Sequence, residues 1–108
     1  MLAVIFEVWP REGLADDYFG LALSLKPALE KMDGFISVER FESVTSPGKF
    51  LSLSFWRDEA AIKNWYGFGG HADAQDQGRG GIFKDYRIRV ASVMRDYDMA
   101  NGRPAVDG

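Results

Sequence analysis

A chain of 108 residues is of single-domain size and builds one hydrophobic core. Its 46% apolar, 14% aromatic and 27% charged residues are those of a folded water-soluble domain and exclude a disordered chain. The formal charge of -3, with the basic residues dispersed, lacks the footprint of a nucleic-acid binder. The absence of cysteine excludes a disulfide framework, thiolate metal sites and a cysteine nucleophile, and an intracellular, cytoplasmic setting is expected.

Leu2 to Trp9 mixes β-branched and aromatic residues before Pro10, which has no amide hydrogen to give a ladder. This is the first predicted strand; the run is too short to span a membrane, and no basic residue precedes it as in a signal peptide. From Leu14, the residues Tyr18, Leu21, Leu25, Leu29 and Met32 recur at three- and four-residue steps, the mark of one buried helical face. Pro27 removes the bond to the Leu23 carbonyl, so a kink or a division into two short helices is expected near Ser24 to Lys26. Asp33-Gly34 ends the helix, glycine taking the left-handed conformation at no steric cost.

Phe35 to Ser43 and Phe50 to Arg57 alternate with period two around Thr45-Ser46-Pro47-Gly48 and predict a hairpin. Asp58 is placed to cap a second helix over Glu59 to Tyr66, with Ala61, Ile62 and Trp65 as its buried stripe. Gly67, Gly69 and Gly70 break that helix, a short one is expected from His71 to about Arg79, and Gly80-Gly81 precede a long strand from Phe83 to Tyr97. The order β-α-β-β-α-β predicts an α+β, ferredoxin-like antiparallel sheet with helices on one face. Residues 1–97 form the domain and 98–108 a polar tail, frayed or draped over a partner.

One strand phase reads as core: Val4, Phe6, Val8, Leu51, Leu53, Phe55, Ile88 and Val90. The other holds Ile5 and Trp9; Ser37, Glu39 and Phe41; Ser52, Ser54 and Trp56; Arg87, Arg89, Ala91 and Val93. That second face is too aromatic to be left in water, and a homodimer pairing sheet on sheet is the simplest cover.

The segment from Trp65 to Arg79 concentrates aromatic and hydrogen-bonding side chains between glycine breaks. On its helix His71, Gln75 and Arg79 fall at i, i+4 and i+8 and project to nearly one side, with Trp65 beside them. His71 is the only histidine, and the unperturbed imidazole pKa of about 6.5 suits that side chain to moving protons at neutral pH; a satisfied helix-end histidine is the alternative reading. Trp65, Trp56, Tyr86 and Phe83 serve as core or as pocket walls, and Arg79 as an oxyanion partner or a surface ion pair with Asp76 or Asp73. No histidine and carboxylate group stands at metal-ligand spacing, and the glycines match no nucleotide-binding register, so neither a metal nor another cofactor is expected.

Asp33-Gly34-Phe35 before the second strand, Ser54-Phe55-Trp56-Arg57 closing the third, then Trp65, His71, Gln75 and the strand from Phe83 together resemble the antibiotic biosynthesis monooxygenase family. The resemblance runs from Leu2 to about Tyr97 and implies a dimeric αβ-barrel. It also implies a cofactor-free reaction in which molecular oxygen oxidises a phenol or hydroquinone, a small aromatic substrate. It places His71 as proton acceptor, Trp65 and Trp56 as walls, and Asn64, Gln75, Arg79 and Tyr86 as polar anchors. Related dimers degrade haem, but the position ten residues after the matching tryptophan, where they hold iron with histidine, is Gln75, and their strand-one asparagine is missing near Phe6. Haem degradation is therefore the first alternative, and a non-catalytic module for a small hydrophobic metabolite the second.

Overall fold

The computed structural model describes residues 1–70, 76 and 78–102, the last group without the side chains of Gly78 and Arg79. In chain order it contains β1 (Leu2–Pro10), α1 (Ala15–Glu30), β2 (Phe35–Glu42), β3 (Phe50–Trp56), α2 (Glu59–Tyr66), a π-helical turn (Gly78–Ile82) and β4 (Phe83–Ser92). The sheet order is β2-β3-β1-β4, and every neighbouring pair is antiparallel. This is the expected ferredoxin-like α+β fold, with the helices on one face.

α1 begins with Asp16 and Asp17 in its first turn, where carboxylates favour the positive end of the helix dipole. Tyr18, Ala22 and Leu29 are buried, and Leu25 and Met32 pack partly against the core. The predicted division at Pro27 does not occur: α1 is one sixteen-residue helix with Pro27 inside it. Pro27 has no amide to give the Leu23 carbonyl, and Leu23 lies on the solvent side, 69% exposed, where losing one helix bond costs least.

Gly34 has φ +86, and a Cβ there would sit 2.6 Å from the Cβ of Ala61, so the residue serves both the turn and the approach of α2. Asp58 caps α2 as expected, its Oδ1 accepting from the Ala61 amide at 2.9 Å. Arg57 ties the two features together. Its Nη1 and Nη2 donate to the two oxygens of Asp33 at 3.1 and 3.0 Å, and its Nε donates to Asp58 at 2.8 Å. The start of α2 is thereby pinned to the turn that follows α1.

The guanidinium of Arg57 holds both Asp33 and Asp58 below the ordinary aspartate value of 3.8, and the Ala61 amide adds to the effect at Asp58. A folded pKa below the unfolded one gives stability that is complete above the unfolded value and is lost as pH falls through the folded value. Urea unfolding followed from pH 7 into this acid range should show the loss in wild type. Arg57→Gln should be less stable at pH 7, and the difference should vanish at the acid end; curves that stay parallel throughout would contradict the coupling.

β4 stops at Ser92, short of the predicted Tyr97. Its only ladder is with β1, whose first residue Leu2 pairs with Ser92, and beyond it just the Val93 amide reaches the Met1 carbonyl at 3.0 Å. Among the described residues, no further strand lies beside residues 94–97.

The register also corrects the reading of β3. Ser54 stands opposite Val4 and Val38, and Ser52 opposite Phe6 and Arg40. Residues facing across an antiparallel pair project to the same side. Ser52, Ser54 and Trp56 therefore face the helices, while Leu51, Leu53 and Phe55 lie on the open face with Glu7, Ile5 and Ala3. The other strands keep the predicted phases. Hydrophobicity misassigned β3 because the open face is itself apolar. A bulge at Lys84, where Trp9 pairs with Asp85 and Pro10 with Phe83, turns both Phe83 and Tyr86 toward the helices.

Candidate functional site

Between the sheet and the two helices lies a cavity of about 140 Å³. Its floor is built from two rows across the sheet. Arg40, Ser52, Phe6 and Ile88 form one, and Val38, Ser54 and Val4 the other. α1 supplies Tyr18, Leu21 and Leu25 to the opposite wall, and α2 supplies Ile62, Trp65 and Tyr66. Trp56 closes one end.

The walls are fixed by aromatic packing. Phe6 and Phe83 have ring centroids 5.9 Å apart, and Tyr18 meets Phe83 edge-on at 5.8 Å. Trp65 stacks on Phe68 at 5.4 Å and 15°, and Phe35 meets Trp56 edge-on at 5.3 Å. Such pairs add specific geometry to apolar burial, so the rings hold shape around the cavity. The Trp56 indole N–H donates to Ser54 Oγ at 2.9 Å, which fixes the indole and leaves the Ser54 proton free to donate onward.

Besides Ser52 and Ser54, two tyrosines and one guanidinium interrupt the apolar lining. Burial pushes the Tyr18 phenol above its ordinary value, opposed by the nearby charge of Arg40, and burial alone raises Tyr66. Both phenols are neutral donors near neutral pH. The Tyr18 hydroxyl is buried beside Arg40 without reaching hydrogen-bond geometry. Arg40 Nε is likewise buried with no hydrogen-bond partner, and Arg40 takes part in no ion pair among the described residues.

Of the residues singled out in the sequence, Trp65, Trp56 and Phe83 line the cavity, with Trp65 and Trp56 buried. Tyr86 stands behind the wall, its ring 5.8 Å from Phe6 and 6.0 Å from Phe83. Asn64 is exposed on α2 and is not among the lining residues. His71, Gln75 and the Arg79 side chain lie outside the described residues. No group of histidines and carboxylates among the described residues is arranged to hold a metal. No described helix is long and apolar enough to cross a membrane.

Sequence reasoning passed over Arg40, Tyr18, Tyr66 and the two serines as site residues. Tyr18 reads as the first position of the α1 core stripe, and the serines as the exposed phase of β3. Arg40 left one legible signal: it follows Ile36 and Val38 with period two, on the apolar part of that phase, an unusual place for a cation.

A four-stranded antiparallel sheet of this order, roofed by two helices over an aromatic-walled cavity, defines a ferredoxin-like α+β domain. The family model for antibiotic biosynthesis monooxygenase matches residues 1–77, and the chain belongs to that family. A jasmonate monooxygenase ABM of Pyricularia oryzae is 46% identical over 93 residues, covering 86% of this chain and 43% of that protein. The uncharacterized protein YqjZ of Bacillus subtilis is 32% identical over 62 residues, covering 57% of this chain and 53% of its own length. The chain thus spans about half or less of these two relatives. Among solved structures, an antibiotic biosynthesis monooxygenase family protein of Deinococcus radiodurans superposes with a TM-score of 0.81 at 18% identity, over 92% of this chain and 98% of that one. Rv0793 of Mycobacterium tuberculosis gives 0.80 at 18% identity, over 90% and 98%. At that identity the structural likeness shows the fold.

Proposed function

We propose that the chain is a monooxygenase that oxidises a phenolic or hydroquinone-type ring with molecular oxygen, using no resident flavin or metal. The observation that carries this reading is the cavity itself. It is walled by Phe6, Phe83, Trp56 and Trp65, and its volume of about 140 Å³ is close to that of an engineered apolar cavity that accepts benzene. One ring fits, with the neutral Tyr18 phenol and the Ser52 side chain beside it. The monooxygenase designation of the fungal relative supports the reaction class.

A phenol and dioxygen yield a quinone and water, so the ring supplies every electron and no separate reductant is consumed. The step needs the phenol deprotonated, and His71 is proposed as the base. The electron-rich phenolate then takes up oxygen at ring carbon, and the resulting peroxide loses water. The apolar walls keep bulk water from the anion and hold the ring in place.

A second copy docked on the open face belongs to the same reading. Ile5, Leu51, Leu53 and Phe55 lie there beside Phe41, which is 42% exposed, and contiguous apolar surface of this kind on a small domain marks an interface.

Oxygen uptake with a panel of hydroquinones and polyphenols in metal-free buffer tests the reaction. Wild type should consume oxygen with at least one of them, and His71→Ala should be slower by about 10²- to 10⁴-fold. No uptake with any member, alongside tight binding of one, would replace the enzyme by a binding module.

A further inference from the structure

Arg40 is the one permanent charge among the described residues lining the cavity. Its Nε is buried and unsatisfied, and no carboxylate of the described residues pairs with it. Arg40 as a whole is half-buried, and a guanidinium turned toward an apolar cavity loses hydration without gaining a counter-charge there. We propose that the missing anion is part of the substrate: the cavity takes a cyclic carboxylic acid, with the carboxylate on Arg40 and the ring among Phe6, Phe83 and Trp65. This names the substrate class of the oxygenation proposed above and rests on that reading for the identity of the ring.

The layout of the floor fits such a molecule. Along one row the side chains run from Arg40 on the edge strand through Ser52 to Phe6 and Ile88. Adjacent strands lie about 4.8 Å apart, so the charged end and the aromatic end are about 10 Å apart at the backbone, with a hydroxyl between them. A ring with one acid substituent spans that interval, acid toward β2 and ring toward β1 and β4. The open side of the guanidinium favours a carboxylate over a single-atom oxyanion. The two Nη groups present a pair of parallel donors, a fork that two carboxylate oxygens satisfy together. The buried Tyr18 hydroxyl, held neutral by its surroundings, is a further donor beside the same charge. A neutral ligand in this position would bury the guanidinium further and leave it unpaired.

The test is anaerobic titration calorimetry with dihydroxybenzoate and its neutral amide, dihydroxybenzamide, which share a hydroquinone ring and differ in the charge at one substituent. Wild type should bind the acid at least about tenfold more tightly than the amide. Arg40→Met should abolish that preference, and Arg40→Lys should keep part of it, since an ammonium supplies the charge without the fork. Equal affinity for acid and amide in wild type overturns the proposal whether or not Arg40→Met folds. So does failure of the acid to bind, or a preference that survives in folded Arg40→Met. Admission of oxygen separates the two readings. Tight, Arg40-dependent binding of the acid without oxygen uptake by any panel member removes the monooxygenase and leaves the acid site. Oxygen uptake with acid and amide bound equally well removes the acid site alone.

Discussion

Trp65→Ala is expected to lower the free energy of unfolding by about 3–5 kcal/mol, the usual range for removing a buried tryptophan. Trp65 is 6% exposed and sits in one cluster with Val4, Leu29, Trp56, Ala61 and Ile62. Its indole also stacks on Phe68, so truncation opens a void on one side and strips a ring partner on the other. The void adjoins the cavity, and α2 is held at its start by Asp58 and Arg57, so the surroundings cannot readily collapse into it. A loss of this size is a large share of the roughly 5–15 kcal/mol that small domains possess. Chemical denaturation checks it, with Trp65→Phe as the control: a phenyl ring keeps the stack and should recover more than half of the loss. A cost below about 1 kcal/mol for Trp65→Ala would mean that the residue is not the core element described.

Much of this architecture was legible in the sequence wherever local chemistry determines the outcome. The Tyr18 to Leu29 periodicity, the Asp58 cap with its Ala61, Ile62 and Trp65 stripe, and the glycine turn at Gly34 all follow from neighbouring residues. What escaped depends on the partner strand. β4 stops where β1 begins, and the sequence of β4 contains no mark of that limit. The faces of β3 are set by which residue stands opposite Val4, and because Leu51, Leu53 and Phe55 serve an apolar outer face, burial preference points the wrong way. The same inversion hid Ser52 and Ser54, and with them the polar part of the cavity floor. Arg40 was overlooked for a related reason. A charged residue on an edge strand is ordinarily a solvent-facing one, and only the register shows this one turned inward beside Tyr18.

Leu53→Glu is expected to convert a dimer into a monomer without unfolding the chain. Leu53 stands between Glu39 and Ile5 across the sheet, with Arg89 beyond Ile5, so it lies in the middle of the open face rather than in the core under the helices. For the isolated fold, a glutamate there exchanges one strand residue for another and costs on the order of 1 kcal/mol or less. In a twofold sheet-on-sheet pair the same change enters the interface twice, each time placing a carboxylate against apolar surface with no assured counter-charge. Dissociation should therefore be favoured by several kcal/mol, about a thousandfold or more in the dimer constant. Charges flank this patch: Glu39 and Arg89 stand at the two ends of the Leu53 row, Glu7 pairs with Lys49 at 2.6 Å and with Arg89, and Lys49 lies over the Trp9 ring at 4.9 Å. In the proposed pair they would rim the patch of Ile5, Leu53 and Phe55 as its dry centre, where hot spots concentrate. Light scattering at micromolar concentration should give twice the chain mass for wild type and the chain mass for Leu53→Glu, with circular dichroism unchanged. A wild type that is monomeric under these conditions would remove the pairing, and a variant that stays dimeric would place the interface on another surface.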